Sequence, residues 1–321
     1  NTILKLVQIM ERIYAIRGEK GGRIDRINVN IAATTVENYR LLKEAGIGTY
    51  NLFQETYHEE TYKKMHSGPK ADYIRQVTAH ERAIDAGIGD EGLGVLFGLY
   101  DWRFEVLALI EHAQYLDKFM GVGPHTISVP RVKPARWTEF KPPAPVDDET
   151  FLKIIAVLRL AVPYTGIVLS TRETAEIRRR GYNIGASQIS AGSSTEVGGY
   201  SRKEKSEGQF AIGDHRRLDD VICELISMGF IPSFCTACEI NERRGQGFIP
   251  FAKSGKIKYL CTPNAILSLK EYLVNYAPEN TREIGEKLIN AELNNSICST
   301  EKISALLKEV SDGKPAVSLY M

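Results

Sequence analysis

The sequence predicts an α/β protein, a TIM-type (β/α) barrel followed by a mainly helical domain. Amphipathic helices alternate with short apolar runs through the first two thirds of the chain, as expected of parallel strands covered by helices. Glycines such as Gly46 and Gly87 follow the helical stretches, where a left-handed residue ends a helix at little cost. No glycine-rich dinucleotide loop follows a predicted strand, which favours a barrel over a doubly wound sheet.

The predicted strands are too few to close such a barrel. A helix with Phe151, Ile154 and Leu158 on one face leads into one of them, and the others are continuous apolar runs. A closed TIM-type barrel has eight strands, whereas this chain offers five or six and begins with Asn1 rather than Met. We therefore expect a barrel that is incomplete at its N-terminus. The predicted strands span residues 26–32, 49–54, 92–99, 125–131 and 166–171, with a weaker one at 186–190.

The organisation changes near residue 200. The polar segment 201–207 (SRKEKSE) is typical of a surface loop or domain boundary. A helix follows it, with Val221, Ile222 and Leu225 on one face. We predict that residues 1–205 form the barrel domain and residues 206–321 a smaller helical domain.

The composition argues against several classes of partner. The chain has 321 residues, with 41 Lys and Arg against 40 Asp and Glu, so its net charge of +1 gives no basic surface for nucleic acid or an anionic membrane. No apolar run is long enough to span a bilayer. Five cysteines are too few for a disulfide scaffold, which favours a reducing, cytoplasmic compartment.

The strongest local signal is the cysteine motif Cys235-x2-Cys238-x22-Cys261. A C-x2-C pair on a turn places two thiolates within reach of one metal centre. Three cysteines without an obvious fourth ligand suit an iron–sulfur cluster with one iron open to an external ligand. A zinc site and a redox pair are the alternatives, although zinc would call for a fourth ligand. Cys223 and Cys298 are interpreted as ordinary residues.

Polar residues follow several predicted strands. Gln54 and Glu55 come at the end of one strand, and Arg172 follows another. The carboxyl ends of parallel strands meet at one face of a barrel, where its active site is built, so these residues predict a pocket. Arg172 could bind a carboxylate bidentately, or pair with Glu173 or Glu55.

His125 is expected at the opposite, N-terminal mouth of the barrel. It begins a predicted strand directly after a Gly- and Pro-containing turn at 121–124. Imidazole is a suitable donor for iron, but a histidine at such a turn is also often structural. His112, inside a predicted helix, is the alternative ligand.

Five strings of residues lie at or near the ends of the predicted strands. They are Gln54-Glu55-Thr56-Tyr57-His58, Gly98-Leu99-x-Asp101-Trp102-Arg103, Ser128-Val129-Pro130-Arg131, Leu169-Ser170-Thr171-Arg172-Glu173 and Ser190-Ala191-Gly192-Ser193-Ser194-Thr195. Together these strings resemble the radical-SAM tyrosine lyases. This family has two branches: the 2-iminoacetate synthase of thiamine biosynthesis and the tyrosine lyase that matures FeFe-hydrogenase. The thiamine branch lacks a C-terminal cysteine motif, and the cysteine spacing here is similar to that of the hydrogenase branch.

The resemblance implies a radical cleavage of the Cα–Cβ bond of L-tyrosine. The side chain would leave as p-cresol, and the dehydroglycine fragment would become carbon monoxide and cyanide, delivered on iron to other FeFe-hydrogenase maturation proteins. It also implies S-adenosyl-L-methionine (SAM) with one 4Fe-4S cluster, and an auxiliary 4Fe-4S cluster that carries an additional iron.

The resemblance also implies a role for individual residues. Arg172 would hold the tyrosine carboxylate, with Ser190 nearby. The iron of the auxiliary cluster would be bound by Cys235, Cys238 and Cys261, and we expect His125, from its place at the N-terminal mouth of the barrel, to bind the additional iron. The residues expected to face SAM are Gln54, Glu55, Leu96, Gly98 and Tyr100.

One departure from the family is clear. The C-x3-C-x2-C motif that holds the SAM cluster is not in this sequence, and we expect that it belongs to an N-terminal part missing from this chain. The alternatives are the thiamine branch and a non-catalytic iron–sulfur carrier or scaffold.

Overall fold

The computed structural model divides into two compact units, Asn1–His215 and Arg216–Met321. The structure describes residues 2–18, 22–135, 139–196, 198–201, 208–235, 249–294 and 300–316. The division lies ten residues beyond the predicted boundary at 205/206, and part of the polar segment 201–207 lies outside the described residues. None of the helices described is both long and apolar enough to cross a membrane.

The described part of the first unit contains a six-stranded, fully parallel sheet. Each strand pairs with the next one along the chain, so the order in the sheet is the order in the sequence. This is the arrangement of a (β/α) barrel that lacks closure, and it confirms the predicted fold class. The strands are β1 (Ile27–Val29), β2 (Ile47–Asn51), β3 (Glu91–Gly94), β4 (Thr126–Ser128), β5 (Gly166–Leu169) and β6 (Gln188–Ile189).

Helices connect the strands and begin at residues whose side chains cap them. The Asp101, Asp147 and Thr174 side chains accept hydrogen bonds from the backbone N–H groups of the first turns of their helices. Gly46 and Gly87 have φ angles of 81° and 89° just after two helices, as the sequence predicted. The helices are α1 (Thr2–Tyr14), α2 (Val36–Glu44), α3 (Glu59–Met65), α4 (Tyr73–Val77), α5 (Ala79–Asp85), α6 (Trp102–Phe119), α7 (Asp148–Ala161) and α8 (Ala175–Ile184).

The two faces of the sheet differ in the size of their side chains. Leu93 and Val95 are buried on one face, as are the corresponding residues of β4 and β5. On the other face, a Cβ added at Gly92 would lie 1.9 Å from Oδ1 of Asn51, and one added at Gly94 would lie 2.6 Å from a ring carbon of Phe53. Glycine is therefore required in β3 so that the side chains of Asn51 and Phe53 fit against the sheet.

The second unit is helical in its described part. Its core is formed by apolar side chains of four helices, including Ile222, Leu273, Ile289 and Ile303. The helices are α9 (Leu218–Ser227), α10 (Ile249–Lys253), α11 (Ile257–Asn275), α12 (Glu279–Asn294) and α13 (Thr300–Ser311).

Candidate functional site

The carboxyl ends of β2 and β3 bring three of the predicted SAM-facing residues together. The backbone N–H of Gln54 donates to the carbonyl of Gly94 (2.9 Å), and the N–H of Leu96 donates to the carbonyl of Glu55 (2.9 Å). Glu55 has a φ of 67°, an uncommon left-handed conformation for a residue other than glycine. Such local strain persists where the surroundings enforce it and is common at functional sites.

Gly98 and Tyr100 lie just beyond, in the loop that leads to α6. The Tyr100 ring stacks on His58 with centroids 3.8 Å apart and an interplanar angle of 2°. Gly98 has a φ of 118°, and a Cβ there would approach the side chains of Val132 and Pro142 to 3.2 and 3.3 Å. The conformation and crowding at Gly98 thus give it a structural reason to be glycine, in addition to its predicted place facing SAM.

Arg172 lies after β5 and does not pair with either predicted carboxylate. Glu173 is bound by Arg131 and by Lys133 (3.1 Å), and Glu55 is bound by Lys70 (3.0 Å). No carboxylate of the described residues lies within salt-bridge distance of the Arg172 guanidinium, whose pKa is lowered by burial. Within the described residues, this cation is therefore available for a carboxylate from a bound ligand.

Ser190 follows β6 and is held by a buried arginine. The guanidinium of Arg178 donates to the carbonyl of Ser190 and forms an ion pair with Asp214, and both charged side chains are almost fully buried. Ser190 and Arg172 thus follow neighbouring strands, β6 and β5, and no hydrogen bond joins them within the described residues.

His125 lies at the opposite edge of the sheet, immediately before β4. Its Nδ1 is 3.0 Å from a carboxylate oxygen of Asp90, which also accepts from Arg26 (2.9 Å). Burial alone would raise the pKa of Asp90, but the hydrogen bond and charge of His125, with the charge of Arg26, lower it to about 2. A ring nitrogen bound to a carboxylate is also the arrangement typical of metal-ligating histidines, which use their second nitrogen for the metal.

The second unit contains a cavity of about 350 Å³ lined by both Cys235 and Cys261. The backbone N–H of Cys235 donates to the hydroxyl of Ser233 (3.1 Å), and the N–H of Phe234 donates to the hydroxyl of Ser268 (3.2 Å). Cys238 lies outside the described residues, and no three metal-binding side chains form a site among the residues that are described. Two cysteines lining one cavity fit a sulfur-ligated metal centre.

A buried polar network between β3, α5 and α6 was missed by the sequence analysis. His80 Nδ1 lies 2.5 Å from the Glu91 carboxyl, and its Nε2 lies 3.1 Å from the carbonyl of Leu52. Because a carbonyl only accepts, Nε2 carries a proton, and the two side chains share one further proton. His112 Nδ1 lies 2.7 Å from the hydroxyl of Tyr57. Burial lowers the pKa of His80 to about 4 and that of His112 to about 3, and it raises the pKa of Glu91.

The pKa of His112 predicts how stability depends on pH. The folded protein keeps His112 neutral below pH 6.5, where the same side chain in the unfolded chain binds a proton. The free energy of unfolding should therefore decrease as the pH is lowered below 6.5. The slope approaches about 1.4 kcal/mol per pH unit. The His80–Glu91 pair adds no slope between about pH 4.5 and 6.5, because it binds one proton in both states.

The measurement is urea unfolding of wild type and His112→Asn across about pH 5 to 8. Tryptophan fluorescence follows the first unit, since both tryptophans, Trp102 and Trp137, belong to it. The stability difference between the two proteins should change with pH below about 6.5 and be constant above it. A difference that is constant throughout would contradict a buried neutral imidazole.

Comparison with known proteins identifies relatives over most of the chain. A family model described as "Biotin and Thiamin Synthesis associated domain" matches residues 128–231. The 2-iminoacetate synthase of Salmonella typhimurium is 32% identical over 208 residues, which is 64% of this chain and 55% of that protein. The Escherichia coli 2-iminoacetate synthase is 33% identical over 196 residues, 60% of this chain and 52% of that protein. The chain thus spans about half the length of the curated relatives it matches.

Solved structures extend the similarity to both units. The crystal structure of HydG, a maturase of the [FeFe]-hydrogenase, is 48% identical with a TM-score of 0.93, covering 98% of this chain and 70% of that one. HydG from Carboxydothermus hydrogenoformans is 40% identical with a TM-score of 0.81, covering 96% of this chain and 66% of that one. Methylornithine synthase, 21% identical with a TM-score of 0.53, shares the fold.

The fold is that of the radical-SAM class. Within it, the chain belongs to the family of the FeFe-hydrogenase maturases and 2-iminoacetate synthases.

Proposed function

We propose that this protein is a radical-SAM tyrosine lyase of FeFe-hydrogenase maturation. It cleaves the Cα–Cβ bond of L-tyrosine, releases p-cresol, and converts the remaining fragment to carbon monoxide and cyanide on iron. The observation that carries the proposal is the guanidinium of Arg172 at the end of β5, while Glu55 and Glu173, the described carboxylates that act on its pKa, are each paired with another cation. The similarity to the hydrogenase maturase over 98% of the chain supports the same assignment.

The residues at the ends of β2 and β3 fit the binding of SAM. The buried Gln54 amide and the Glu55 carboxylate offer hydrogen-bond acceptors to its amino and hydroxyl groups, and Leu96 and Tyr100 offer apolar surface. SAM, together with the cluster of the C-x3-C-x2-C motif, supplies the radical in this family. That motif is not within the 321 residues, so an activity assay uses protein that carries it.

Arg172→Lys tests the carboxylate site directly. An ammonium group keeps the charge but loses the bidentate, planar geometry of a guanidinium. A charge-assisted hydrogen bond contributes roughly 1.5–3 kcal/mol, so the dissociation constant of L-tyrosine should rise about ten- to a hundredfold. Equilibrium binding of L-tyrosine measures it, with Arg180→Lys, an arginine of an exposed pair on α8, as the matched control. If the affinity of Arg172→Lys for L-tyrosine is unchanged, another residue binds the carboxylate of the substrate.

The cysteine cavity supports an auxiliary 4Fe-4S cluster in the second unit. Cys235 and Cys261 line the cavity, and Cys238 completes the motif in the sequence. Three thiolates leave one iron of such a cluster open to an external group. We assign the additional iron, which leaves with carbon monoxide and cyanide as cargo, to His125, because its Nδ1 is already bound to Asp90.

A second candidate function is the 2-iminoacetate synthase reaction, which the names of the curated relatives favour. The two functions differ in their products. Anaerobic incubation with L-tyrosine, SAM and a reductant should yield p-cresol together with carbon monoxide and cyanide. Production of p-cresol without the two gases would favour the 2-iminoacetate synthase, and no p-cresol at all would favour a non-catalytic cluster carrier.

A further inference from the structure

Arg172 is stacked on an aromatic ring from a segment outside the sheet. The carbon at the centre of its guanidinium lies 3.5 Å from the centroid of the Phe210 ring. All the donors of a guanidinium lie in its plane, so stacking on one face uses none of them. The contact therefore fixes the plane of the cation and removes water from one side, while its N–H edge stays available.

The segment that carries Phe210 spans residues 208–214 and is called the strap here. It is hydrogen-bonded to residues that follow three different strands. The N–H of Gln209 donates to Thr195 O (3.3 Å), the N–H of Ala211 to Pro134 O (2.9 Å), and the N–H of Gly213 to Thr171 O (2.9 Å). These acceptors follow β6, β4 and β5, so the strap is held to the carboxyl ends of three neighbouring strands.

The strap is also packed too tightly to shift easily. A Cβ at Gly213 would lie 2.8 Å from Arg172 O and 2.9 Å from Thr174 N, so the backbones of the strap and of residues 172–174 are in close contact. Asp214, the last residue of the strap, forms the buried ion pair with Arg178. Phe210 is thus delivered to Arg172 by a rigid segment rather than by a loose loop.

We infer that Phe210 is a positioning residue that orients the guanidinium of Arg172 towards the carboxylate of an α-amino acid substrate. This inference rests on the proposed function. A cation held on a ring loses little freedom when it binds a carboxylate, and its partly desolvated charge interacts more strongly than one in open water. Leucine at this position would keep apolar bulk but lose the ring, so the guanidinium would be free to rotate.

The test compares L-tyrosine with tyramine, which has the same ring and amine but no carboxylate. In Phe210→Leu the dissociation constant of L-tyrosine should rise about three- to thirtyfold, while that of tyramine stays nearly constant. Phe210→Trp keeps an aromatic face and should restore binding of L-tyrosine. Phe119→Leu, which removes another ring beside a cation (5.2 Å from Nζ of Lys118), is the matched control and should change neither constant.

Each outcome decides one question. If Phe210→Leu weakens the binding of L-tyrosine and tyramine equally, or leaves the affinity for L-tyrosine unchanged, the positioning role of Phe210 is overturned, while the proposed tyrosine site stands. Failure of Phe210→Trp to restore L-tyrosine binding also overturns it. A wild-type protein that binds L-tyrosine no better than tyramine overturns the carboxylate site itself, and the inference with it.

Discussion

The double variant Cys235→Ser/Cys238→Ser is expected to lose the iron of the auxiliary cluster, about four atoms per chain. Cys235 shares a cavity with Cys261, and serine is a much poorer ligand for iron than a thiolate. Cleavage of L-tyrosine depends on the other unit and should persist in part, so p-cresol should still form. Carbon monoxide and cyanide should no longer be delivered on iron.

The control for this variant is Cys223→Ser. Cys223 lies on α9, and its sulfur accepts a hydrogen bond from the Asn280 side chain (3.7 Å), so it has a partner outside the motif. Iron and sulfide analysis of the anaerobically purified proteins makes the comparison. Wild-type iron content in the double variant would refute the assignment, and one zinc per chain in the wild type would replace the cluster with a structural zinc site.

His125→Ala separates the additional iron from the cluster in the same measurement. This variant should retain the four cluster irons and form p-cresol, but lose the extra iron with its carbon monoxide and cyanide. The Asp90 carboxylate would stay bound by Arg26 (2.9 Å), so the amino edge of the sheet keeps its buried charge pair. An extra iron that still assembles in His125→Ala would assign its ligation to another residue.

The strands could be predicted because buried parallel strands are apolar along their whole length. The ends of the strands could not be predicted, because apolar residues continue beyond the last residues that pair with a neighbouring strand. The prediction at 92–99 ends five residues after Gly94, and Val95 and Phe97 make only isolated bridges there. The start of β3 was missed for the opposite reason, since Glu91 is a charged residue that is fully buried.

The strand-end residues could be predicted as a group, because the ends of parallel strands share one face. The hydrogen-bond and ion-pair partners of each of these residues could not be predicted. Glu173 binds Arg131 rather than its neighbour in the chain, and that pairing spans 42 residues. Phe210 was missed because the polar run before it favours a domain boundary at 205/206, whereas the strap that carries it is hydrogen-bonded to the barrel unit.

Asp214→Asn is expected to destabilise the first unit by about 3–5 kcal/mol. Asp214 and Arg178 have side-chain exposures of 1% and 0%, so removing one charge leaves the other buried without compensation. Glu149→Gln is the matched control, because its pair with Arg180 (2.8 Å) is exposed and should contribute no more than about 1 kcal/mol. Urea unfolding followed by tryptophan fluorescence measures both variants, since both tryptophans belong to this unit.

The same ion pair links stability to the candidate site. The Arg178 guanidinium that pairs with Asp214 also donates to the carbonyl of Ser190, and Asp214 ends the strap that holds Phe210. Asp214→Asn should therefore weaken L-tyrosine binding even at temperatures where the variant is fully folded, whereas Glu149→Gln should not.

Replacing both partners by apolar residues, as in Arg178→Met/Asp214→Leu, removes the buried charges and should recover much of the lost stability. The double variant would still lack the hydrogen bond from Arg178 to the carbonyl of Ser190. If it recovers stability but not affinity for L-tyrosine, the binding defect is due to the loss of that hydrogen bond. If Asp214→Asn is no less stable than Glu149→Gln, the pair is open to water in solution and cannot fix the strap.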